Sequence, residues 1–465
     1  MDIKSVKNYI AEWIGKNQQD FTDAADKLFD NPELGMQEFY AAGVLEELLA
    51  KHGFSVEKGV AGIPTAFVAT YGTGKPVVAF SCEYDALPGL SQQRCAEKNP
   101  VTDGAPGHGC GHNILGAGNI CGAAALKSAM EHFGIPATVK VLGTPAEEMC
   151  VGKAFMAKAG LFQGIDFFMD WHPNSKNFMT SNTNAYFSAY YHFKGRTSHS
   201  ASAWNGRSTL DAAILMGHAS EMLREHVPPG KEGAENTWSY TFADVGPEFP
   251  NVVPDRTTAW YIARFTTTEL LEDFMRRLDN CAEGAALATD TSVRRELVTA
   301  VHERIPNMAL NKIIYDNWAE LGTLEFTPEE QQFARDLTTN AGVEPKGIVE
   351  DIMPHMEYNS GVTDASEYSW VAPSALLNIS MAPAEGWHNW IAAASAGTSA
   401  GKKALLYAGK LLALSSADLI LDHALLSEIK EEYDERVKGR VYKSLLGDLQ
   451  PPLDVNKQIM DKYRR

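Results

Sequence analysis

Three side chains that can bind a metal or act in catalysis lie within five residues of one another in the segment GHGCGHNILGAG, residues 107–118. They are His108, Cys110 and His112. Imidazole and thiolate groups bind borderline divalent ions, and a cysteine with a histidine base is also a nucleophile. A glycine-rich turn without a chemical role is the third interpretation. A phosphate-binding loop is excluded, because no Lys-Ser/Thr pair directly follows the last glycine.

Carboxylate and histidine side chains also follow three apolar segments elsewhere in the chain. Asp85 lies three residues after KPVVAFSC, and His172 directly follows IDFFMDW. The adjacent pair Glu147 and Glu148 follows ATVKVLG. Adjacent glutamates point in different directions, so one carboxylate can bind a metal while the other remains free as a general base for an activated water. This combination indicates a metal-dependent hydrolase.

The elements that carry these residues predict an α/β fold. Each of the three segments is short and apolar, as in a buried strand, and helical segments alternate with them. This alternation predicts a largely parallel sheet flanked by helices. Ligands bind outside the carboxyl ends of parallel strands, so the three clusters and the 107–118 loop are expected to share one crevice.

The pattern changes after residue 183. Alternating strands are predicted at AYFSAYYHF, TWSYTFADV, RTTAWYIAR and SVRRELVTAV, with a helix after the first and another after the third. This order is the split βαβ, or ferredoxin-like, pattern. We therefore predict an inserted α+β domain at 184–301 and a discontinuous catalytic domain at 1–183 and 302–465.

Composition narrows the class of protein. A chain of 465 residues is longer than a domain with a single hydrophobic core usually is, which agrees with two domains. A formal charge of −18 argues against nucleic acid and against an anionic membrane surface, so an anionic substrate needs a local cationic pocket. The start of the chain lacks a signal-peptide core, and no uncharged apolar stretch has membrane-spanning length, so a cytoplasmic location is expected. Six cysteines in a chain this long do not indicate a disulfide framework.

With these residues identified, the chain resembles the aminoacylase/carboxypeptidase-type metallopeptidases, which hydrolyse N-acyl amino acids. The branch of aminobenzoyl-glutamate hydrolases and indole-acetyl-amino-acid hydrolases is the most similar. The resemblance covers nearly the whole chain. Its motifs occur in order as EYDALPGLSQ, GHGCGHN, PAEE, WHP, GRTSHSA, PNVVPDRTTAWYIAR, TDASEYSW and GWHNW.

The resemblance implies a centre with two divalent ions, manganese or zinc. Its implied ligands, including the expected bridge His112, are Cys110, His112, Glu148, His172 and His388. Glu147 is implied as the general base, and Asp85 is implied to orient a ligand.

The resemblance also gives the inserted domain a dimerisation or lid role, in a homodimer. His199 is implied to reach a neighbouring subunit's active site and stabilise the developing oxyanion. Asn251 and Arg264 are implied to bind the substrate carboxylate, for which a guanidinium fork is well suited.

The chain departs from the family pattern at three places. Glu83 and Asn113 stand where most relatives have aspartate, and Ser366-Glu367 stands where a Glu-Asp pair is usual. The first two changes fit the aminobenzoyl-glutamate branch. The roles of Asp364 and Glu367 stay open between contact with a metal ligand and a structural role, and His108 is expected either to contact a ligand or to pack the loop.

The predicted function is therefore cleavage of an N-acyl amino acid by a metal-activated water. Three alternatives remain: a dipeptidase for unusual or β-alanyl dipeptides, a subunit that needs a partner chain, and a thiol enzyme with Cys110 as nucleophile and His112 as base. The thiol mechanism leaves Glu147, Glu148 and His172 without a role.

Overall fold

The computed structural model describes residues 2–230, 235–247, 249–359, 361–384 and 387–464. Within these ranges the strands are β1 Ser55–Lys58, β2 Phe67–Gly72, β3 Val77–Cys82, β4 Thr138–Gly143, β5 Phe167–Asn174, β6 Phe178–Thr180, β7 Ala185–Lys194, β8 Thr237–Asp244, β9 Arg256–Phe265, β10 Ser292–Val301 and β11 Ser374–Ser380. The α-helices are α1 Ile3–Asp30, α2 Phe39–Lys51, α3 His112–Phe133, α4 Gly152–Lys158, α5 Thr209–Glu221, α6 Thr268–Thr289, α7 Met308–Leu321, α8 Pro328–Asn340, α9 Trp390–Ala396, α10 Ser399–Leu421, α11 His423–Val437 and α12 Lys457–Tyr463.

The larger sheet has the order β1-β2-β4-β3-β5-β11-β6. Its centre, β4-β3-β5-β11, is parallel, whereas β1, β2 and β6 pair antiparallel at its two edges. The predicted α/β fold with a parallel central sheet is confirmed. The antiparallel edge strands were not predicted: β1 and β6 are only four and three residues long and carry little pattern, and β2 was missed although it has six residues.

Helices cover both faces of this sheet. Phe80 on β3 and Trp171 on β5 pack into the larger core with α1, α3 and α10. Ala79 and Phe168, on the same two strands, face α4 on the other side of the sheet. Small residues bring α3 close to the sheet: a Cβ at Gly118 would lie 2.7 Å from the indole nitrogen of Trp171. This close packing fixes the N-terminus of α3, where the Cys110–His112 loop ends.

The second sheet is antiparallel, with the order β10-β7-β9-β8. Its elements follow the chain as β7-α5-β8-β9-α6-β10, which is the split βαβ order. One face packs on α5 and α6 through alternate residues such as Phe187, Ala189 and Tyr191. The other face, which includes Tyr190 and Trp260, is turned toward the cavity described below.

One helix among the described residues, α10, is long and apolar enough to cross a membrane by length and composition. In the structure, 78% of its apolar window is buried inside the protein. It packs on α1 and α3 in the larger core. A core helix of a globular protein meets the same criteria.

Candidate metal centre and active site

The carboxyl end of the parallel sheet gathers the residues that the sequence places after its strands. Asp85 lies three residues beyond β3, Glu147 and Glu148 lie just beyond β4, and His172 lies near the end of β5. His112 is the first residue of α3, and the turn before it carries Cys110. The turn closes at Gly111, whose φ of 76° lies in the left-handed region that glycine favours.

All five predicted ligands belong to overlapping groups of donor atoms. Within each group the atoms lie no more than 4.8 Å apart, and the groups are Cys110-His112-His172, Cys110-Glu148-His388 and Glu83-His112-Glu147. Cys110 Sγ lies 3.5 Å from His172 Nε2, and Glu148 Oε2 lies 3.4 Å from His388 Nε2. With metal–ligand distances of about 2.0–2.3 Å and a tetrahedral angle, two donors on one zinc ion lie about 3.3–3.6 Å apart. These donor atoms therefore fit a divalent metal centre.

Asp85 orients two of these residues at once. One of its oxygens lies 2.9 Å from His112 Nδ1, and the other accepts a 2.9 Å hydrogen bond from the backbone N–H of Glu148. The bond to Nδ1 leaves only Nε2 of His112 for a metal. A single nitrogen lone pair cannot bind two ions, so the geometry does not support His112 as the bridge. Cys110 and His112 each occur in two of the groups, and of the two donors the thiolate sulfur, which has more than one lone pair, is the one suited to be shared.

Neighbours fix His172 and Cys110 in ligand orientations. His172 Nδ1 lies 2.6 Å from the carbonyl oxygen of Pro173, so Nε2 faces the cluster. Burial and the nearby His112 lower the pKa of His172 to about 4, which keeps the imidazole neutral. The Trp387 indole N–H donates to Cys110 Sγ over 3.2 Å. Burial also raises the pKa of the Cys110 thiol, so its thiolate form would need a bound cation beside it. The nearby donors of His172, Glu148 and His388 favour the ligand role.

A tight turn separates the directions of Glu147 and Glu148. They open a short 3₁₀ helix, Glu147–Met149, between two left-handed non-glycine residues, Ala146 at φ 56° and Cys150 at φ 53°. The buried Glu38 carboxylate accepts a 2.8 Å hydrogen bond from the Ala146 N–H and so holds the turn. Backbone strain of this kind persists only where the surroundings impose it.

The two glutamates consequently have different surroundings. Glu148 lies with Cys110 and His388, and burial raises its pKa to about 7. Glu147 Oε2 lies 3.8 Å from His112 Nε2, beyond the separation expected for two donors on one ion. Its carboxylate makes no side-chain hydrogen bond within the described part of the chain. Burial, with the Glu83 charge nearby, raises the pKa of Glu147 well above its ordinary value. Glu147 is thus a free, proton-accepting carboxylate at the edge of the cluster.

The charge balance at this end of the sheet calls for cations. Over the described residues, one lysine, Lys153, and no arginine lies within ion-pair distance of the buried carboxylates here. Those carboxylates are Glu83, Asp85, Glu147, Glu148 and Asp364. Uncompensated buried charge is very unfavourable. Bound divalent ions would supply the missing positive charge.

The inserted domain completes a cavity above this cluster. The cavity has a volume of about 1160 Å³, and metal-site residues line it together with Tyr190, Tyr240, Trp260 and Arg264 from the second sheet. Arg264 is exposed and forms no ion pair among the residues that the structure describes. Its guanidinium is therefore available to an anionic ligand in the cavity.

His199 and Asn251 lie elsewhere on the inserted domain. The Asn251 amide nitrogen is 3.3 Å from His199 Nε2, and both residues are exposed. His199 Nδ1 accepts from the Ala201 N–H over 3.0 Å. Neither His199 nor Asn251 is among the residues that line the cavity of their own chain. The structure therefore separates this pair from Arg264, and a contribution of His199 to a neighbouring subunit stays a prediction.

The remaining residues singled out from the sequence have structural partners. His108 Nε2 lies 3.1 Å from the Leu28 carbonyl oxygen, so it anchors the ligand loop to α1. Asp364 lies 2.6 Å from the Lys153 ammonium, and Glu367 lies 2.8 Å from His302 Nδ1.

Sequence reasoning missed Glu83 and Lys153 as parts of the centre. Residues two apart on an extended segment share a face, so the position of Glu83 relative to Asp85 was a usable signal. Nothing local marked Lys153, which is brought to the site by the packing of α4.

Comparison with known proteins agrees with this geometry. Residues 79–391 match the model of Peptidase family M20/M25/M40. The chain is 33% identical to one of the subunits of p-aminobenzoyl-glutamate hydrolase from Escherichia coli (strain K12), over 95% of this chain and 97% of that protein. It is 28% identical to the Xaa-Arg dipeptidase of Mus musculus, over 93% of each chain.

A solved structure shows the same fold. The YXEP protein of Bacillus subtilis, a dinuclear metal-binding peptidase from the M20 family, superposes with a TM-score of 0.58 and 17% identity. The alignment covers 88% of this chain and 99% of that one. From the family match and the donor cluster together, the chain belongs to Peptidase family M20/M25/M40 and is a hydrolase of the metallopeptidase and amidohydrolase type.

Proposed function

We propose that this protein is a metal-dependent amidohydrolase that cleaves the amide bond of an N-acyl amino acid. The observation that carries the proposal is the divergence of the adjacent glutamates. Glu148 Oε2 lies 3.4 Å from His388 Nε2 in the group with Cys110, whereas Glu147 lies in a different group, with Glu83 and His112, and faces the same cavity. A ligand and a general base side by side are what water-mediated amide hydrolysis requires.

Two divalent ions, manganese or zinc, would be held by Cys110, His112, Glu148, His172 and His388. When bound, they supply positive charge that acidifies a water and polarises the substrate carbonyl. Glu147 then takes a proton from the attacking water and delivers it to the leaving amine nitrogen. Its raised pKa favours the second step, because a carboxyl with a raised pKa holds the proton until the leaving amine takes it.

The cavity supports an aromatic acyl amino acid as substrate. Tyr190 and Trp260 have ring centroids 5.1 Å apart on the sheet face that lines it. Aromatic walls favour a flat apolar acyl group. Arg264 lies on the same strand as Trp260 and is free to bind the carboxylate of the amino acid. In a chain of net charge −18, this local cation is the feature that attracts an anionic substrate.

We further propose a cytoplasmic homodimer in which the inserted domain, residues 184–301, is the lid and dimerisation unit. The arrangement of His199 supports this proposal. It is exposed and lies outside the cavity of its own chain, so a role as oxyanion donor requires a second copy.

The test of the proposed function is the substitution Glu147→Gln in the metal-loaded protein. Removal of a general base is expected to lower kcat about 10²–10⁴-fold. Both ions should remain bound, because Glu147 is not a proposed ligand. Glu330→Gln is the matched control, since Glu330 is a buried glutamate on α8 that pairs with Lys403 over 2.7 Å. Full turnover by Glu147→Gln with both metals present would rule out the mechanism.

A dipeptidase is the second candidate, and the similarity to Xaa-Arg dipeptidase over 93% of the chain favours it. Arg264 could bind the carboxylate of a dipeptide equally well. The two candidates therefore differ only in the group on the amino side of the cleaved amide bond. A panel of 4-aminobenzoyl-glutamate, indole-acetyl amino acids, β-alanyl dipeptides and Xaa-Arg dipeptides separates the two candidates by kcat/KM.

The Escherichia coli relative is named as one of the subunits of its hydrolase, which raises a third candidate, a chain that needs a different partner chain. Every proposed ligand and the base are present in this chain, which supports activity on its own. Assay of the purified single chain with added Mn²⁺ or Zn²⁺ tests this directly.

A further inference from the structure

A fully buried lysine lies next to the proposed metal centre. Lys153, the second residue of α4, has its Nζ 2.6 Å from Asp364 Oδ1 and 2.8 Å from Glu83 Oε1. The other Asp364 oxygen accepts a 3.0 Å hydrogen bond from the Lys153 backbone N–H. An ammonium with no exposure is tolerated only when its charge is paired in good geometry. These contacts therefore fix both Lys153 and the Glu83 oxygen that it binds.

The second oxygen of Glu83 faces the cluster. Glu83 Oε2 lies 3.3 Å from His112 Nε2, yet it is buried and has no hydrogen-bond partner in the structure. His112 Nε2 is also buried without a hydrogen-bond partner. Two facing polar atoms that are both left without partners are costly, so a missing partner is expected between them.

The separation of these two atoms suits a shared ion. Two donors on one tetrahedral zinc with bonds of about 2.0–2.1 Å lie about 3.3 Å apart. The Cys110–His172 and Glu148–His388 pairs, at 3.5 and 3.4 Å, have comparable separations. A direct hydrogen bond does not explain the contact, because Glu83 Oε2 does not satisfy hydrogen-bond geometry toward the His112 ring.

We propose that Glu83 binds, through Oε2, the same divalent ion as His112, and that Lys153 and Asp364 are positioning residues. They occupy Oε1 and so present a single oxygen to the ion. The inference deepens the metal centre of the proposed function and rests on it.

A structural staple is the competing explanation. Glu83 follows β3, Lys153 is in α4, and Asp364 opens the 3₁₀ helix Asp364–Trp370, so the three side chains also tie distant segments together. A staple predicts altered stability and unchanged metal affinity. If Glu83 is a ligand, a substitution that keeps the contact with Lys153 should weaken metal affinity and leave stability largely unchanged.

Glu83→Gln is that substitution, because its amide oxygen can still accept from Lys153. Metal content by mass spectrometry, affinity by competition with a chelator and the visible spectrum of the Co²⁺-loaded protein are measured on the full chain. We expect at least a tenfold weaker affinity for one ion and a changed Co²⁺ spectrum. Glu330→Gln, a buried glutamate paired with Lys403 away from the site, should match the unsubstituted protein.

Lys153→Met tests the positioning role with the same measurements. We expect about 10–100-fold weaker binding of that ion, because Glu83 keeps its oxygen but loses its orientation. If Lys153→Met does not fold, the double variant Lys153→Met/Asp364→Asn removes one negative charge with the positive one, and Glu83→Gln alone decides the ligand role.

Two ions bound by Glu83→Gln with unchanged affinity and an unchanged Co²⁺ spectrum would overturn the inference, whatever the activity. Glu83-dependent binding of two ions in a protein without amidase activity would instead uphold the inference and reject the proposed function.

Discussion

The two sides of the cavity are organised differently. The metal-site wall carries the donor residues at the carboxyl ends of the parallel strands, and the inserted-domain face carries Tyr190, Trp260 and Arg264. On the metal-site wall three donors are fixed by neighbours: Asp85 holds His112, the Pro173 carbonyl holds His172, and the Trp387 indole holds Cys110. On the inserted-domain face, Arg264 is exposed and lacks an ion pair among the described residues. His199 lies outside the cavity, elsewhere on the inserted domain, where its ring contacts the Ala201 N–H and the Asn251 amide.

This difference shows which part of the site one chain can complete. The metal-site wall is preorganised, so ion binding needs little rearrangement and substitutions there should act on metal affinity. For the inserted domain we propose that Arg264 meets a substrate and that His199 meets a second copy of the chain. Substitutions there should act on KM and kcat while the metal content stays unchanged.

The largest effect is expected from Cys110→Ala, which removes the sulfur donor that belongs to two of the groups. Metal content should fall from two ions to fewer than one per chain, and activity should fall by at least about 10⁴-fold. Cys121→Ala is the control, because Cys121 is a buried cysteine of α3 outside the donor groups. Retention of two tightly bound ions by Cys110→Ala would place the shared donor elsewhere.

A mixed-subunit experiment gives the next largest effect and tests the proposed role of His199 in a second copy's site. His199→Ala should lower kcat about 10²–10³-fold as an oxyanion donor is lost, with both ions retained. When His199→Ala and Glu147→Gln chains are mixed and exchanged, half the dimers should contain one intact site. Activity should therefore recover to about a quarter of the unsubstituted level.

Failure of the mixture to recover activity would contradict the proposed role of His199. If His199 acts within its own chain, each chain in the mixture remains defective and no activity returns. Size-exclusion chromatography of the mixture confirms that chains have exchanged.

Arg264→Ala should have a smaller effect, confined to substrate binding. Loss of a bidentate charge-assisted contact is expected to raise KM about 10–100-fold for substrates with a free carboxylate, with less effect on kcat. The amide or ester of the same substrate should not discriminate between the two proteins. Arg256→Ala on the same strand is the control, because Arg256 pairs with Asp244 and does not line the cavity. Equal KM values for Arg264→Ala and the unsubstituted protein would remove Arg264 from recognition.

The same contrast explains what the sequence could predict. The parallel strands and the residues at their ends were predictable, because short apolar segments followed by Asp85, Glu147 and His172 are local patterns with a known geometric consequence. The β7–β10 strands were predictable for the same reason, since each alternates clearly.

Features that depend on packing between distant segments were not predictable. The Lys153–Glu83–Asp364 cluster joins residues separated by up to 281 positions, and no local pattern announces a buried lysine. Glu83 itself was noted only as a departure from a family pattern. The bridging donor was assigned to His112 because the sequence cannot show that Asp85 occupies its other nitrogen.

The smallest expected effect concerns the contact between His302 and Glu367, at the point where the chain leaves the inserted domain and returns to the catalytic domain. His302 follows β10 directly, and its Nδ1 and backbone N–H lie 2.8 and 2.9 Å from one Glu367 oxygen. Burial opposes protonation, but the Glu367 charge outweighs it, so the pKa of His302 is raised. A raised folded-state pKa stabilises the protein fully below the unfolded value and loses that contribution as pH rises through the folded one. Between about pH 5.5 and 8, the melting temperature of the unsubstituted protein should therefore exceed that of His302→Gln by a margin that is constant up to about pH 6.5, the ordinary pKa of histidine, and shrinks above it. Differential scanning calorimetry across this range measures the margin, and a margin that grows with pH would show that His302 is neutral in the fold.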